Sequence, residues 1–301
     1  MMGIRSLATM IGIDLRCGYV TFSFVEQLDA LCWDLLNRLS PSEQWLLRQT
    51  LYTAPVRRQA IAALPFERGQ TIADLGTGYG VMALEMAQAL GVHVVGVDID
   101  NHVITHARAL VRSVYGHEDP VTFMAADAYR LPFSDQSLDG VTARFLFQHL
   151  DKPLLLSREI HRVLKPGAAV FIEDVDDGFT VEFPTLPDSW QLVIKAFQTL
   201  QSLRGGDRFI GRKISSFVHQ AGLIVDSVQI HPVVQFSVQD PNDISHQFER
   251  ERIEQVLPEL FSHNLLTEFQ WQTALEDLQA TQGEWILQSI SGFRVVGHRP
   301  D

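Results

Sequence analysis

The chain contains little of what a secreted, metal-binding or membrane protein needs. Its two cysteines, Cys17 and Cys32, form no CxxC pair and have no clustered histidines, so neither a disulfide framework nor a metal ion is expected. No window approaches the ~20 apolar residues of a membrane span. The first twenty residues lack the apolar stretch and the small-residue cleavage site of a signal peptide. We therefore expect a cytoplasmic protein with no membrane span.

Basic residues are also scarce. The 24 lysines and arginines, of which four are lysine, stand against 36 acidic residues, and the formal net charge is −12. Such a chain repels phosphate backbones at long range, and no run of basic residues offsets the repulsion. Nucleic acid is therefore not an expected partner. Apolar residues make up 46% of the sequence, which is enough for a full core.

Residues 1–69 have the pattern of a helical region. The four residues from Ser40 to Glu43 have the form of a capping box, with proline at the first helical position. Apolar residues then recur at helical spacing, and a further helix is predicted from about 54 to 64. These helices precede the part of the chain in which strands begin.

Residues 70–175 alternate between short apolar runs and segments of helical period. Five strands are predicted, at Thr71 to Leu75, Val92 to Val97, Val121 to Ala126, Leu138 to Ala143 and Ala168 to Asp174. Strands separated by helices indicate parallel pairing with right-handed crossovers. The fold class is therefore α/β, with a doubly wound, mostly parallel sheet as its core.

The remaining chain is less regular. We assign residues 176–207 to an insertion that acts as a lid or contacts the substrate, and residues 208–301 to the C-terminal part of the sheet. Two more strands are predicted there, separated by a helical insertion at about 243–281. Substrate selection is expected in these parts and in the N-terminal helices.

Three glycines join the first predicted strand to the next helix, in the segment ADLGTGYG from Ala73 to Gly80. Glycine permits backbone conformations that other residues resist, and it lets a ligand approach the main chain closely. The GxGxG spacing is shorter than the GxGxxG loop that seats a dinucleotide pyrophosphate on a helix N-terminus. The loop therefore suits a ligand that lacks a phosphate.

Acidic residues follow the next two strands. Asp98 lies 18 residues after Gly80, where a carboxylate can accept hydrogen bonds from both hydroxyls of a ribose. Asp127 follows the third strand, where it can accept a hydrogen bond from an exocyclic adenine amine. Ligands of open α/β sheets lie beyond the carboxyl ends of the strands. These residues, with Arg144 after the fourth strand, therefore outline one site.

Five segments resemble the successive motifs of class I S-adenosylmethionine-dependent methyltransferases, especially the branch that modifies quinones and other small molecules. They are ADLGTGYG, VVGVDID, AADAYRLPFSDQSLDGV, FLFQHL and EIHRVLKPGAAVFIED. The resemblance covers residues 70–175 closely and 205–238 loosely. It implies a seven-stranded Rossmann-like sheet, S-adenosyl-L-methionine as cofactor, and methyl transfer to a small-molecule acceptor. Ala168 and Asp100 depart from the usual Gly and Ser, which puts little in doubt.

The resemblance also implies a role for particular residues. It places Asp74, Gly76, Thr77, Gly78 and Gly80 around the methionine part, Asp98 at the ribose with Ile99 beside it, Asp127 and Ala128 at the adenine, and Arg144 near the methionine end or the reacting centre.

Methyl transfer from a sulfonium loses charge, so the protein's main task is to hold the nucleophile in line with the methyl group at ~3 Å. A base is needed only when the nucleophile carries a proton. The candidate bases are His149, Glu173 and Asp174, which lie at or just beyond the ends of the fourth and fifth strands, although each could simply be a packed or capping side chain. Charged residues that could meet the cofactor or a charged substrate are Arg58, Asp176, Asp177, Arg208 and Arg212.

Aromatic residues could wall an acceptor pocket, so we expect an acceptor with apolar or aromatic character. The candidates are Phe145, Phe147, Phe179, Phe183 and Trp190. Three alternatives stay open: a non-catalytic S-adenosylmethionine-binding protein, another group transferase on this scaffold, and a nicotinamide dehydrogenase, against which the GxGxG spacing and Asp127 count. The sequence does not distinguish an oxygen, nitrogen or carbon nucleophile, and it leaves a homodimer open.

Overall fold

The structure is a computed structural model that describes residues 22–116, 120–240 and 244–301. Cys17 lies outside the described residues, whereas Cys32 is a buried free thiol. No helix in the described ranges is both long and apolar enough to cross a membrane.

Helices cover the sheet and precede it. The described helices are α1 Phe22–Leu36, α2 Pro41–Tyr52, α3 Ala54–Ala62, α4 Val81–Leu90, α5 Asn101–Tyr115, α6 Pro153–Val163, α7 Asp188–Leu203, α8 Ile214–Gln220, α9 Ile244–Glu254, α10 Leu257–Ser262 and α11 Glu268–Ala280. The predicted capping box is present at α2, where the Glu43 carboxylate accepts a hydrogen bond from the backbone N–H of Ser40 at 2.9 Å. It fixes the first turn of α2 where the chain enters the helix.

The strands form one sheet. They are β1 Thr71–Leu75, β2 His93–Asp98, β3 Val121–Ala125, β4 Leu138–Arg144, β5 Leu164–Val175, β6 Val181–Phe183, β7 Ile224–Val238 and β8 Trp285–His298. The order is β3-β2-β1-β4-β5-β8-β6, and β7 pairs with the other edge of β8. Strands β1 to β5 are parallel, and β8 is antiparallel to its neighbours. Over the described residues this confirms the doubly wound, mostly parallel, seven-stranded sheet, to which the three-residue strand β6 adds an eighth.

Apolar side chains divide between the two faces of the sheet and a separate cluster. Helices α1 to α5 cover one face, and α6 and α8 cover the other. In the described ranges, α7, α9, α10 and α11 pack around a third apolar core of their own, which includes Trp190, Phe197, Leu260 and Trp271. We call these four helices the cap. The cap thus combines the two predicted insertions into one packed unit.

A buried ion pair joins α3 to α4. Arg57 donates from Nε to Glu85 Oε2 at 2.7 Å and from Nη2 to Glu85 Oε1 at 3.1 Å, and both side chains are almost inaccessible to solvent. Arg58 adds a third hydrogen bond to Glu85, at 2.9 Å. The N-terminal helices are therefore fixed to the sheet by a charge pair as well as by apolar packing.

Candidate functional site

The glycine loop curves around the carboxyl end of β2. Gly76, Gly78 and Gly80 have φ angles of +70°, +54° and +75°, in the left-handed region that favours glycine. The backbone N–H groups of Gly76 and Thr77 both donate to the carbonyl oxygen of Val97, at 2.8 and 3.0 Å. A Cβ on Gly80 would overlap the ring of Phe123, so this glycine is required sterically as well. The loop therefore presents main chain, rather than side chains, to a ligand.

Two carboxylates flank this loop. Asp98 accepts hydrogen bonds from the backbone N–H of Gly78 at 2.9 Å and of Asp100 at 3.1 Å, which fixes its orientation at the end of β2. Asp74 is buried and accepts a hydrogen bond from the Thr77 hydroxyl at 2.6 Å. Burial raises the pKa of Asp74 to about 7, although Thr77 and the nearby Arg144 act in the opposite direction. A cationic group placed beside Asp74 would favour its ionised form.

The predicted adenine end is open. Ile99 exposes 76% of its surface at the end of β2, although it is large and apolar. Asp127 is exposed after β3 and accepts a hydrogen bond from the N–H of Tyr129 at 2.9 Å, with Ala128 half-buried beside it. Both residues are accessible to a ligand.

Arg144 lies at the end of β4, where a guanidinium–carboxylate network begins. Its Nε donates to Glu173 Oε1 at 2.8 Å, and Arg294 Nη2 donates to Glu173 Oε2 at 2.7 Å. Among the described residues, Arg144 Nη2 is buried and has no hydrogen-bond partner. Such an orphaned donor is costly unless a ligand satisfies it. An anionic group of a ligand would be stabilised at this atom.

Glu173 holds these arginines in place. Its burial would raise its pKa, but Arg144 and Arg294 outweigh that effect and the pKa is lowered. The carboxylate therefore stays ionised, with hydrogen bonds to both of its oxygens. This geometry favours a positioning role over the predicted role as a base.

His149 lies in the short turn after β4, with Gln201 against its ring. The amide nitrogen of Gln201 is 3.3 Å from the carbonyl oxygen of Gln148 and 3.0 Å from His149 Nδ1. Because a carbonyl oxygen only accepts, that amide nitrogen must be the donor, and Nδ1 accepts from it. The surrounding protein and Arg208 lower the pKa of His149. The neutral ring then carries its proton on Nε2, which suits a hydrogen-bond donor better than a base.

Sequence reasoning missed His231. In the antiparallel register, Glu173 pairs with Arg294 and Gly292 pairs with His231, so these side chains share one face of the sheet. In the part of the chain that the structure describes, His231 Nε2 is buried without a hydrogen-bond partner. Burial lowers the pKa of His231, and Arg294 adds to the effect. The imidazole is therefore neutral near pH 7. The sequence alone did not indicate which distant strands pair.

The aromatic residues beside this face include some that were not predicted. Of the five predicted aromatic residues, Phe147 and Trp190 are buried in apolar cores, whereas the Phe145 ring lies 3.9 Å from the Arg144 guanidinium. Phe248 stacks on Trp45 with ring centroids 5.6 Å apart and on Tyr52 at 4.9 Å. The Tyr52 hydroxyl also lies 3.3 Å from Gln235 Oε1 on β7. These rings join α2 to α9 beside the face that carries His231.

Each of the charged residues considered as cofactor or substrate contacts has an ion-pair partner within the protein. Arg58 binds Asp29 at 2.6 Å as well as Glu85. Arg208 binds Asp177 at 2.7 Å. Arg212 donates through Nε to Asp176 at 2.8 Å. These ion pairs leave the charges neutralised within the protein, and ligand contacts by these groups stay a prediction.

Known proteins are similar to this chain in sequence. The model of the methyltransferase domain family matches residues 73–172. The chain is 36% identical over 123 residues to the O-methyltransferase rstn1 of Aspergillus nomiae, a match that covers 41% of this chain and 54% of that protein. It is 33% identical over 182 residues to the demethylmenaquinone methyltransferase of Clavibacter sepedonicus, covering 60% of this chain and 66% of that protein. The chain spans about half the length of several curated relatives that it matches.

A solved structure shares the fold. The YcgJ protein of Bacillus subtilis superposes with a TM-score of 0.55 at 18% sequence identity, covering 82% of this chain and 99% of that chain. The domain match, the relatives and the sheet order agree with one another. Residues 73–172 belong to the methyltransferase domain family, and the sequence relatives and the fold agree with the class I S-adenosylmethionine-dependent methyltransferases.

Proposed function

We propose that the chain transfers a methyl group from S-adenosyl-L-methionine to a small-molecule acceptor. The observation that carries the proposal is the convergence, at one edge of the sheet, of the glycine loop, the oriented Asp98 carboxylate and the buried Arg144 guanidinium. Three neighbouring parallel strands, β1, β2 and β4, supply these groups.

The residues present fit this cofactor. Asp98 would accept hydrogen bonds from the ribose hydroxyls, and the orphaned Nη2 of Arg144 would bind the methionine carboxylate. Asp74 would face the ammonium group. The remaining predicted contacts are Gly76, Thr77, Gly78 and Gly80 at the methionine part and Ile99, Asp127 and Ala128 at the adenine. When bound, S-adenosylmethionine supplies an activated methyl group on a sulfonium, so this chain's own residues need only bind, orient and accept a proton.

We propose that the acceptor lies on the sheet face that carries His231, between the end of β5 and the Trp45–Tyr52–Phe248 rings. These rings favour an acceptor with an apolar or aromatic body. The neutral His231 imidazole would accept the proton of a hydroxyl nucleophile, with Glu173 and the two arginines fixing the site around it. Cap helix α9 brings Phe248 to the same face, which supports the assignment of the two insertions as a lid.

The first experiment is a calorimetric titration of S-adenosylmethionine and S-adenosylhomocysteine into wild type and the Asp98→Ala variant. We expect binding to weaken ten- to a hundredfold in the variant, since the lost hydrogen bonds involve a charged group. Asp34→Ala, an exposed aspartate on α1, is the matched control and should bind like wild type. Equal affinity in the Asp98 variant would overturn the site, and binding of NADH instead would favour a dehydrogenase.

A turnover measurement separates an enzyme from a binding protein. A labelled methyl donor is incubated with phenols, quinols and amines, and the products are identified by mass. Transfer to an acceptor supports the proposal. Cofactor binding with no transfer to any class would favour the non-catalytic alternative or another group transfer.

We also propose that the chain forms a homodimer through an apolar stripe on β7. Alternate residues expose large side chains along one face of this strand: Val228, Ile230, Val234 and Phe236. Strand β7 pairs with β8 on one side and forms a sheet edge on the other within the described residues. Exposed apolar edges of this kind are association sites or aggregation hazards. We retain a cytoplasmic location in the proposal, which suits the free thiol of Cys32.

Sedimentation tests the homodimer. We expect Val234→Ser/Phe236→Ser to shift a wild-type dimer to monomer, since these two side chains are the most exposed of the stripe. Phe269→Ser, an exposed phenylalanine on α11, should leave the dimer unchanged. A wild-type monomer at tens of micromolar would refute this part of the proposal.

A further inference from the structure

A group of potential metal ligands lies where α2 meets the first turns of α5, beside the site described above. His102 and His106 are four residues apart, so they lie on one face of α5. Glu43, in the first turn of α2, points toward the same face, and its Oε1 is 3.1 Å from His102 Nδ1. We propose that Glu43, His102 and His106 bind a divalent transition-metal ion such as Zn²⁺, with water as the remaining ligand.

The ligand atoms are close to the spacing that such an ion requires. One atom from each of the three residues lies within 4.8 Å of the others. Zinc bonds of about 2.0–2.2 Å to nitrogen and oxygen place tetrahedral ligand atoms ~3.3–3.5 Å apart. Small side-chain rotations would therefore bring the three ligand atoms to the distances that a bound ion requires. Two imidazoles and one carboxylate are a donor set that favours zinc and its neighbours over Mg²⁺ or Ca²⁺.

Neighbouring residues already orient the carboxylate. The backbone N–H and the hydroxyl of Ser40 both donate to Glu43 Oε2, which leaves Oε1 to face the histidines. The Tyr79 hydroxyl donates to the carbonyl oxygen of Glu43 at 3.1 Å, and the Tyr79 ring lies 5.9 Å from that of His106. Support of this kind fixes the direction of metal ligands and commonly changes affinity tenfold or more. The capping box thus orients a ligand as well as starting α2.

The bound ion would tie α2 down over the glycine loop. Leu46 on α2 lies 3.4 Å from the position that a Cβ on Gly78 would occupy, so α2 covers this part of the loop. Because the ion would bridge α2 and α5, it would hinder α2 from lifting away, and the release of S-adenosylhomocysteine should be slower. This consequence rests on the proposed cofactor site, whereas metal binding itself does not.

Metal binding is tested on untagged full-length protein without cofactor. Zn²⁺ is titrated calorimetrically, and Co²⁺ is titrated by its visible absorption, which is strong for a four-coordinate ion. We expect one equivalent to bind to wild type, with at least tenfold weaker binding in His102→Gln and in His106→Gln. His93→Gln, an exposed histidine at the start of β2, is the control and should bind as wild type does. His102 is exposed, so its replacement should not prevent folding.

Binding of equal strength in wild type and both histidine variants would overturn the proposal, because the ion would then lie elsewhere. The dissociation rate of S-adenosylhomocysteine is measured next, with and without Zn²⁺. A several-fold slower release in wild type, absent in His106→Gln, supports the bridging of α2 and α5. Metal binding with an unchanged release rate would refute the bridging and leave the metal site standing. Failure of S-adenosylhomocysteine to bind at all would refute the cofactor proposal instead.

Discussion

Replacing His231 with glutamine is expected to lower kcat a hundred- to ten-thousandfold for a hydroxyl acceptor, the range typical for removal of a general base. The imidazole Nε2 is buried and lacks a hydrogen-bond partner among the described residues, and its pKa is lowered by burial and by Arg294. Glutamine keeps a similar volume but cannot take up a proton. Single-turnover kinetics with a labelled methyl donor measure the change.

The pH profile gives an independent check. A base works when it is unprotonated, so activity should fall as the pH drops through the pKa of His231. That pKa is lowered from the usual value of about 6.5, and the acid limb of kcat/KM should therefore lie below it. The limb should vanish in the glutamine variant, while S-adenosylhomocysteine affinity stays unchanged. His219→Gln, an exposed histidine on α8, is the matched control. A glutamine variant that keeps more than about a third of the activity would rule out the role.

Replacing Glu85 with glutamine is expected to destabilise the protein by about 3–5 kcal/mol, because Arg57 would be left as a buried charge without a counterion. Burial raises the pKa of Glu85, but Arg57 and Arg58 outweigh it and the pKa is lowered. The pair therefore contributes its stability above the unfolded carboxyl pKa and loses it as the pH falls through the folded one. Urea denaturation of wild type and variant at neutral pH measures the difference.

A double variant separates the charge from the packing. Arg57→Met/Glu85→Met removes both charges and fills the same space, so it should recover most of the lost stability. Arg48→Met/Glu251→Met, at a partly exposed ion pair, is the control and should change stability by less than about 1 kcal/mol. A Glu85→Gln variant as stable as wild type would show that Arg57 finds another partner or solvent.

The periodicity of residues 70–175 was enough to predict β1 to β5, because a buried parallel strand reads as a local apolar run. The predicted ends of the strands were less accurate. Strand β5 begins at Leu164, four residues before the predicted start, and its pairing with β4 is irregular between Leu138 and Gly140. Turn residues such as Lys165-Pro166-Gly167 obscure a strand that continues through them.

The cofactor residues could be predicted from the sequence because they follow strand ends within one short stretch of chain. Their roles stay predictions. The residues proposed to lie around the acceptor could not be predicted from the sequence. His231 and Arg294 lie on β7 and β8, and they meet Glu173 only through a register between strands that are far apart in the sequence. The pairing of Arg208 with Asp177 and of Arg212 with Asp176 was hidden for the same reason. Local patterns do not encode which distant charges will neutralise each other.

The apolar core of the cap is separate from the two apolar clusters that pack against the sheet. Substitutions among Trp190, Leu260 and Trp271 alter contacts within the cap and leave the packing beneath the glycine loop intact. The family match ends at residue 172, just before the chain enters the first cap segment. A lineage could therefore keep the sheet with its proposed cofactor site and change its acceptor by substitutions in the cap. In the laboratory, the same division makes residues 176–207 and 244–281 natural exchange points for chimeric enzymes with new acceptors.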